Sequence, residues 1–377
     1  MKIIIIRNAN IYGHGGAEEF LLNLSKELVA NGHQVVIATA LPKMTHKAKK
    51  LGFKVLKSPW LFIQSWHGLW QFLMPLYVIW IFRLVFWYLI MILKEKPDIL
   101  LPQNRDDWIA SSISANLTGK RVIWSDHADL KHELKNIHIW YKNWQGKLIV
   151  WASRKAKYIT VVSNADLQEI KKSIGNSLDG KLRVVHNGVF DEVNNIMPVK
   201  KPVNKIILGT TSRLMRQKGL FELIDAYKNI KVNHPNINLW LVGDGQDATE
   251  LKKEAQKISG ITFWGHVNDA LNYAKSFDIF VHPTYTEGFS LSLVEAAMLG
   301  LPIVTTNVGG NIEIIEDGKS GLLVNPKNVN ELQEAIEKLI VSKKTRDKLG
   351  KSARQRYLEE FEFSQIVRKE LIPLYNY

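Results

Sequence analysis

The chain alternates short β-branched runs with stretches of helically spaced apolar residues, and it does so twice. Ile3–Ile6 is an unbroken isoleucine run, the pattern of a strand covered on both faces. Residues 17–28 carry apolar side chains at helical spacing, Gly32-His33 ends that helix, and Gln34–Thr39 reads as the next strand. Asp98–Pro102, Arg121–Trp124 and Tyr158–Val162 continue the series. A second series follows at Lys205–Thr211, Ile237–Gly243, Ile261–Phe263, Asp278–His282 and Pro302–Thr306, with amphipathic stretches between. Strands that alternate with helices predict parallel sheets with helices on both faces, an α/β class. Between the series, residues 191–204 are polar, lack periodicity and contain Pro198 and Pro202, which marks a linker. At 377 residues the chain suits two domains, residues 1–190 and 205–360, followed by a last helical stretch, 361–377.

Charge is unevenly shared. The net charge is +14, but residues 1–180 carry +11 and residues 181–377 only +3. A basic half points to an anionic partner. Ten of the twelve tryptophans lie in that half, from Trp60 to Trp151, and Trp beside basic residues is typical of membrane interfaces. Within the segment 59–96, residues 69–93 hold a single charge, Arg83, and Pro75 limits the run. A mid-span arginine costs ~3 kcal/mol or more, so an interfacial helix is favoured over a full span, with a protein-buried crossover helix as the competing reading. The aromatic residues cluster in one apolar helix, which favours an anionic membrane surface over nucleic acid. There are no cysteines, which removes disulfides, cysteine zinc sites and thiol nucleophiles. The apolar run at Ile3–Ile6 is too short for a secretory signal, so a cytoplasmic protein, peripheral on the membrane, is expected.

Glu287 and Glu295 form the most informative pair. The first lies in the loop after the Asp278–His282 strand, and the second lies in the first turns of the next helix, which Ser290 or Ser292 can cap. Ligands of open α/β sheets bind at this carboxyl edge, and anions bind at helix N-termini. The N–H groups of Gly288, Phe289, Ser290 and Leu291 would face a phosphate, and a carboxylate beside them would accept hydrogen bonds from sugar hydroxyls. The stretch Ser292–Glu295 fits a capping box equally well. After the first strand, Tyr12-Gly13-His14-Gly15-Gly16-Ala17-Glu18 is a glycine-rich turn at a helix start. It lacks the third glycine of a dinucleotide fingerprint.

Taken in order, these segments resemble a retaining glycosyltransferase of the GT-B fold, most closely glycosyltransferase family 4. Gly15-Gly16-Ala17-Glu18 is similar to the family's glycine loop, and Val162–Ala165 and His186–Val189 to its strand ends before the linker. Ser212-Arg213-Leu214-Met215-Arg216-Gln217-Lys218-Gly219 resembles its basic loop, with serine in place of glycine. Leu241–Gly245 and Phe263–Val267 match further strand ends. Glu287 and Glu295 match its paired glutamates eight residues apart, with Gly309-Gly310 beyond.

The resemblance implies two Rossmann-like parallel-sheet domains facing across a cleft, the 361–377 stretch returning to the first, and a hexosyltransferase-type enzyme acting on a nucleotide-diphosphate sugar with retention. It implies that Arg213 and Lys218 clamp the diphosphate, that Glu295 binds the ribose, that Glu287 holds the donor sugar, and that Val267 meets the base through its backbone. His127, in Ser125-Asp126-His127-Ala128-Asp129, matches the family histidine near the reaction centre, although Ala128 stands where glycine is usual. No cofactor or metal is implied, and no Asp-x-Asp occurs in the chain. The basic first domain would meet the acceptor, a saccharide of the cell envelope, lipid-linked. An epimerase or phosphorylase of the same fold, or a non-catalytic nucleotide-sugar binder, are the alternatives.

Overall fold

The computed structural model describes residues 1–8, 16–59, 74–126, 143–174, 178 and 180–376. It divides into one unit of Met1–Val185 with Val367–Tyr377, and a second of His186–Ile366. The division falls at 185/186, and the stretch 191–204 belongs to the second unit rather than standing between the two. Lys275 Nζ holds that stretch by donating to the carbonyls of Val193 and Ile196 at 2.7 and 2.8 Å. The C-terminal segment that groups with the first unit begins at Val367. Arg121 Nη1 donates to the Tyr375 carbonyl at 2.5 Å, and the Tyr375 side chain is fully buried.

The first unit holds a seven-stranded parallel sheet in the order β3-β2-β1-β4-β5-β6-β7. Its strands are β1 (Lys2–Ile6), β2 (Gln34–Thr39), β3 (Lys54–Lys57), β4 (Ile99–Pro102), β5 (Arg121–Ser125), β6 (Tyr158–Val161) and β7 (Leu182–Val184). Ile3 to Ile6 are fully buried, as expected of a strand with helices on both faces. The second unit holds a six-stranded parallel sheet in the order β10-β9-β8-β11-β12-β13. These are β8 (Ile206–Thr211), β9 (Ile237–Val242), β10 (Ile261–Gly265), β11 (Ile279–His282), β12 (Ile303–Thr306) and β13 (Leu322–Val324). In both sheets the chain starts in the middle, runs to one edge, returns and fills the other side. The reversal falls between β1 and β4 in one unit and between β8 and β11 in the other.

The tryptophans are not all interfacial. Trp80, Trp108 and Trp124 are core residues. Trp108 and Trp124 stack with ring centroids 5.2 Å apart, and their indole N–H groups donate to the Pro102 carbonyl (3.1 Å) and Ser112 Oγ (2.8 Å). Buried indoles find such partners because an unpaired N–H in the core is costly. The apolar helix Met74–Glu95 resolves into two faces. Tyr77, Trp80, Ile81, Leu84, Tyr88, Met91 and Ile92 are buried. Leu76, Ile79, Phe82, Phe86 and Leu93 form an exposed stripe, from 50% exposed at Leu76 to 68% at Phe82. It is the one helix among the described residues long and apolar enough to cross a membrane.

Candidate functional site

The second unit gathers the glutamates and the basic loop at its chain reversal. β8 and β11 pair directly, Ile279 opposite Leu208 and Phe280 opposite Gly209. Both run parallel, so the loops 212–219 and 283–290 leave the same sheet edge side by side. They are stapled together. The Gln217 carbonyl accepts from the Tyr285 N–H at 2.8 Å and from Thr284 Oγ1 at 3.0 Å. Gly219 has φ +67°, and a Cβ there would sit 1.9 Å from the Pro283 carbonyl oxygen. Only glycine permits that approach. Gly309, after β12, closes the other side in the same way: its φ is +49°, and a Cβ would lie 1.7 Å from the Glu287 carbonyl oxygen.

Within this frame Lys218 Nζ lies 2.5 Å from Glu287 Oε2, and His282 Nε2 lies 3.3 Å from the same oxygen. Burial would raise the Glu287 pKa, but the hydrogen bond from His282 and the charge of Lys218 outweigh it and hold the carboxyl at about 2. Burial lowers His282, which keeps its ring neutral at pH 7. Arg213 is exposed, and its side chain forms no hydrogen bond or ion pair among the described residues. The structure gives it no anchor beyond its place in the loop.

The helix Leu291–Met298 starts where the sequence allowed. Ser290 is its cap, accepting from the Leu293 N–H. Glu295 therefore lies past the third helical position, and the capping-box reading of Ser292–Glu295 does not hold. No hydrogen bond to its carboxylate is formed among the described residues, and burial pushes its pKa up to about 7. The N–H groups of Gly288, Phe289, Ser290 and Leu291 likewise donate to nothing among the described residues. Four free donors, the positive end of a helix and two carboxylates thus share one edge.

Two family models together match residues 14–356 of this chain. Residues 193–356 match "Glycosyl transferases group 1" and residues 14–193 match "Glycosyltransferase Family 4". An uncharacterized glycosyltransferase of Methanocaldococcus jannaschii is 30% identical over 310 residues, 77% of this chain and 78% of the relative. The chain is a group 1/family 4 glycosyltransferase.

Two other relatives of this glycosyltransferase carry names from capsular polysaccharide biosynthesis and from transfer to a diphosphoundecaprenol-linked sugar. The capsular polysaccharide biosynthesis glycosyltransferase CapM of Staphylococcus aureus is 30% identical over 177 residues, but each chain is covered only to 46%. An Escherichia coli UDP-Gal:alpha-D-GlcNAc-diphosphoundecaprenol alpha-1,3-galactosyltransferase is 26% identical over 295 residues, covering 73% of this chain and 74% of that one. Among solved structures, a glycosyltransferase from Rickettsia africae superposes with TM-score 0.78 at 19% identity, covering 100% and 97% of the two chains. HepE of Anabaena, solved with UDP, reaches 0.76 at 19%, covering 98% of each. The fold is GT-B: two parallel-sheet α/β units.

The glycosyltransferase structure thus brings together Lys218, Glu287, Gly288, Phe289, Ser290 and Leu291, with Arg213 and Glu295 on the same edge. Val267 follows β10, two strands away from β8, at the same carboxyl edge. Gly16 opens the helix Gly16–Ala30 in the first unit. Gly15 and His127 lie outside the described residues, although Asp126, just before His127, is buried at the end of β5. His282 was missed by sequence reading. The only signal was a histidine ending a strand five residues before the first glutamate.

Proposed function

We propose that this enzyme moves a sugar from a nucleotide-diphosphate sugar to a hydroxyl of a cell-envelope saccharide, with retention of anomeric configuration. One observation carries the reading: a lysine–carboxylate pair held against four unpartnered N–H donors at the chain reversal of a parallel sheet. Such an edge suits a diphosphate on the N–H side and sugar hydroxyls on the carboxylate side. Arg213 and Lys218 neutralise the leaving diphosphate, most strongly as the glycosidic bond breaks, and no metal is needed for that task. Glu295 accepts from the ribose, Glu287 Oε1 from the donor sugar, and the Val267 backbone meets the base. By the family resemblance, Gly15 and Gly16 take part in substrate binding and His127 in catalysis. The UDP-bound state of HepE supports the donor class.

The acceptor is a lipid-linked saccharide, and the enzyme works as a peripheral protein on the cytoplasmic face of an anionic membrane. The undecaprenol-linked substrate of the E. coli relative supports this. So does the exposed stripe Leu76, Ile79, Phe82, Phe86 and Leu93 on a half with net charge +11. Its opposite face is anchored by Tyr88 Oη, 2.5 Å from buried Asp107, so the helix would lie in the interface plane rather than cross it. The decisive experiment screens UDP-, GDP- and ADP-sugars by thermal shift with EDTA present. One base should raise the melting temperature by mass action, and no shift with any of them would remove the donor reading. Flotation with anionic liposomes at low salt tests the membrane separately: Phe82→Ser with Phe86→Ser should stay at the bottom of the gradient while the wild type floats.

A further inference from the structure

The carboxylate of Glu287 is gripped on one oxygen only. Lys218 Nζ and His282 Nε2 both meet Oε2, and Oε1 has no partner among the described residues. The two grips differ in kind. Lys218 is a flexible chain in a loop beside four anion-seeking N–H groups, so an arriving diphosphate competes for it. His282 ends β11, is 1% exposed, and its carbonyl accepts from Thr305 Oγ1 at 2.8 Å. It cannot follow a ligand.

The hydrogen bonds fix the tautomer. A carboxylate only accepts, so the nitrogen facing Glu287 carries the proton. The same N–H lies 3.3 Å from Ser290 Oγ, which is 3.0 Å from Ser292 Oγ. One consistent arrangement results. His282 Nε2–H is shared between Glu287 Oε2 and Ser290 Oγ, and the Ser290 hydroxyl donates to Ser292. The imidazole therefore ties the glutamate to the cap of the Leu291–Met298 helix, the element that supplies the free N–H groups.

We propose that His282 is a positioning residue for sugar transfer: it fixes Oε2 of Glu287 so that Oε1 faces the donor sugar hydroxyls, and it remains as the tether when Lys218 turns to the diphosphate. This rests on the reading that Glu287 holds the donor sugar.

The test compares His282→Leu, His282→Gln, Glu287→Gln and the Leu/Gln double variant, using the nucleoside diphosphate chosen by the thermal-shift panel and its sugar conjugate. His282→Leu should bind the bare diphosphate within about twofold of wild type but lose about tenfold in affinity for the sugar conjugate and about tenfold in kcat, the size of one lost hydrogen bond to a charged group. His282→Gln, which keeps an N–H, should recover most of both. In the Glu287→Gln background, His282→Leu should add less than about twofold, because the group it positions is already changed. Equal weakening of diphosphate and conjugate would mean that the loop has merely collapsed, and overturns the proposal. So would unchanged conjugate binding, or full additivity in the double variant. Should His282→Leu not fold, His282→Asn, whose shorter amide falls back from Glu287, carries the same comparison. Wild-type enzyme that binds conjugate no tighter than bare diphosphate would instead fell the donor-sugar reading of Glu287, and the tether with it.

Discussion

The two sheets of this enzyme reverse direction at equivalent places, and each reversal holds a carboxylate, buried at Asp107 and half-buried at Glu287, treated in the opposite way. In the first unit Asp107 sits in the helix after β4, beside the end of β1. Tyr88 Oη donates to it at 2.5 Å, and Asn8 Nδ2 reaches both oxygens at 3.1 and 3.0 Å. Asn8 Oδ1 in turn accepts from the Ala40 N–H at 2.8 Å. Both oxygens of this fully buried carboxylate are satisfied from within. In the second unit Glu287 receives both its bonds on one oxygen and keeps the other open among the described residues. Topology alone offers two crevices. Hydrogen-bond satisfaction separates a carboxylate that specifies structure from one that awaits a ligand.

Perturbing the open site should abolish chemistry and spare the fold. Under the proposed reading, replacing Arg213 and Lys218 together by Glu places negative charge where the leaving diphosphate would gain it. Turnover should fall by roughly 10³-fold or more, in line with the loss of a main transition-state donor, and sugar-nucleotide thermal shifts should vanish. Because Arg213 has no side-chain partner among the described residues, Arg213→Glu alone should leave the ligand-free melting temperature nearly unchanged. Retained turnover in the double variant would show that the cations are ordinary loop charges.

The closed site should respond in reverse. Asp107→Ala removes a buried acceptor from the Tyr88 hydroxyl and the Asn8 amide, and each lost buried hydrogen bond costs about 1–3 kcal/mol. A loss of about 3 kcal/mol should lower the first unit's melting transition by roughly 6–12 °C at this size, while nucleoside diphosphate affinity, read by calorimetry, stays within about twofold. A stable Asp107→Ala variant with lost nucleotide binding would erase the contrast between the two crevices.

The contrast was only partly legible in the sequence. Short apolar runs such as Ile3–Ile6 and Leu239–Val242 read as buried strands because they are too short for a helix and are followed by polar or glycine-containing segments. The edge strands Lys54–Lys57, Leu182–Val184 and Leu322–Val324 escaped, since three or four residues carry too little pattern. The glutamate pair was legible from its place between a strand and a helix start, and the basic loop from its resemblance to the family's loop. His282 was not, since its bond to Glu287 depends on how the 283–287 loop turns back. Trp108 and Trp124 were not legible as core residues for a different reason: an indole suits a membrane interface or a core with an acceptor at hand, and composition cannot tell where Pro102 and Ser112 will stand relative to them.

Glu295 offers the finest test, because its effect is one of degree. Burial without a partner lifts its pKa from 4.5 to about 7 in the free enzyme. A folded-state pKa above the unfolded one means that the folded protein binds the proton more tightly. Its contribution to stability is therefore most favourable below pH 4.5, and it declines as the pH rises from there toward 7, when a charge must be held in a buried place. Ribose hydroxyls would relieve that cost, because they donate to the ionised form. If only the carboxylate binds, the fraction competent is about one in eleven at pH 6 and nearly all at pH 8 for a pKa near 7, so affinity for the nucleotide sugar, whose diphosphate diester does not titrate in this range, should tighten about tenfold. Titration calorimetry should show a proton released on binding at pH 6 and almost none at pH 8. Glu295→Gln should bind with a flat profile between these limits, and it should also flatten the ligand-free stability between pH 4.5 and 7. A wild-type affinity that is level from pH 6 to 8 would mean that Glu295 does not meet the ribose, and would leave Glu287 as the sole carboxylate of the open crevice.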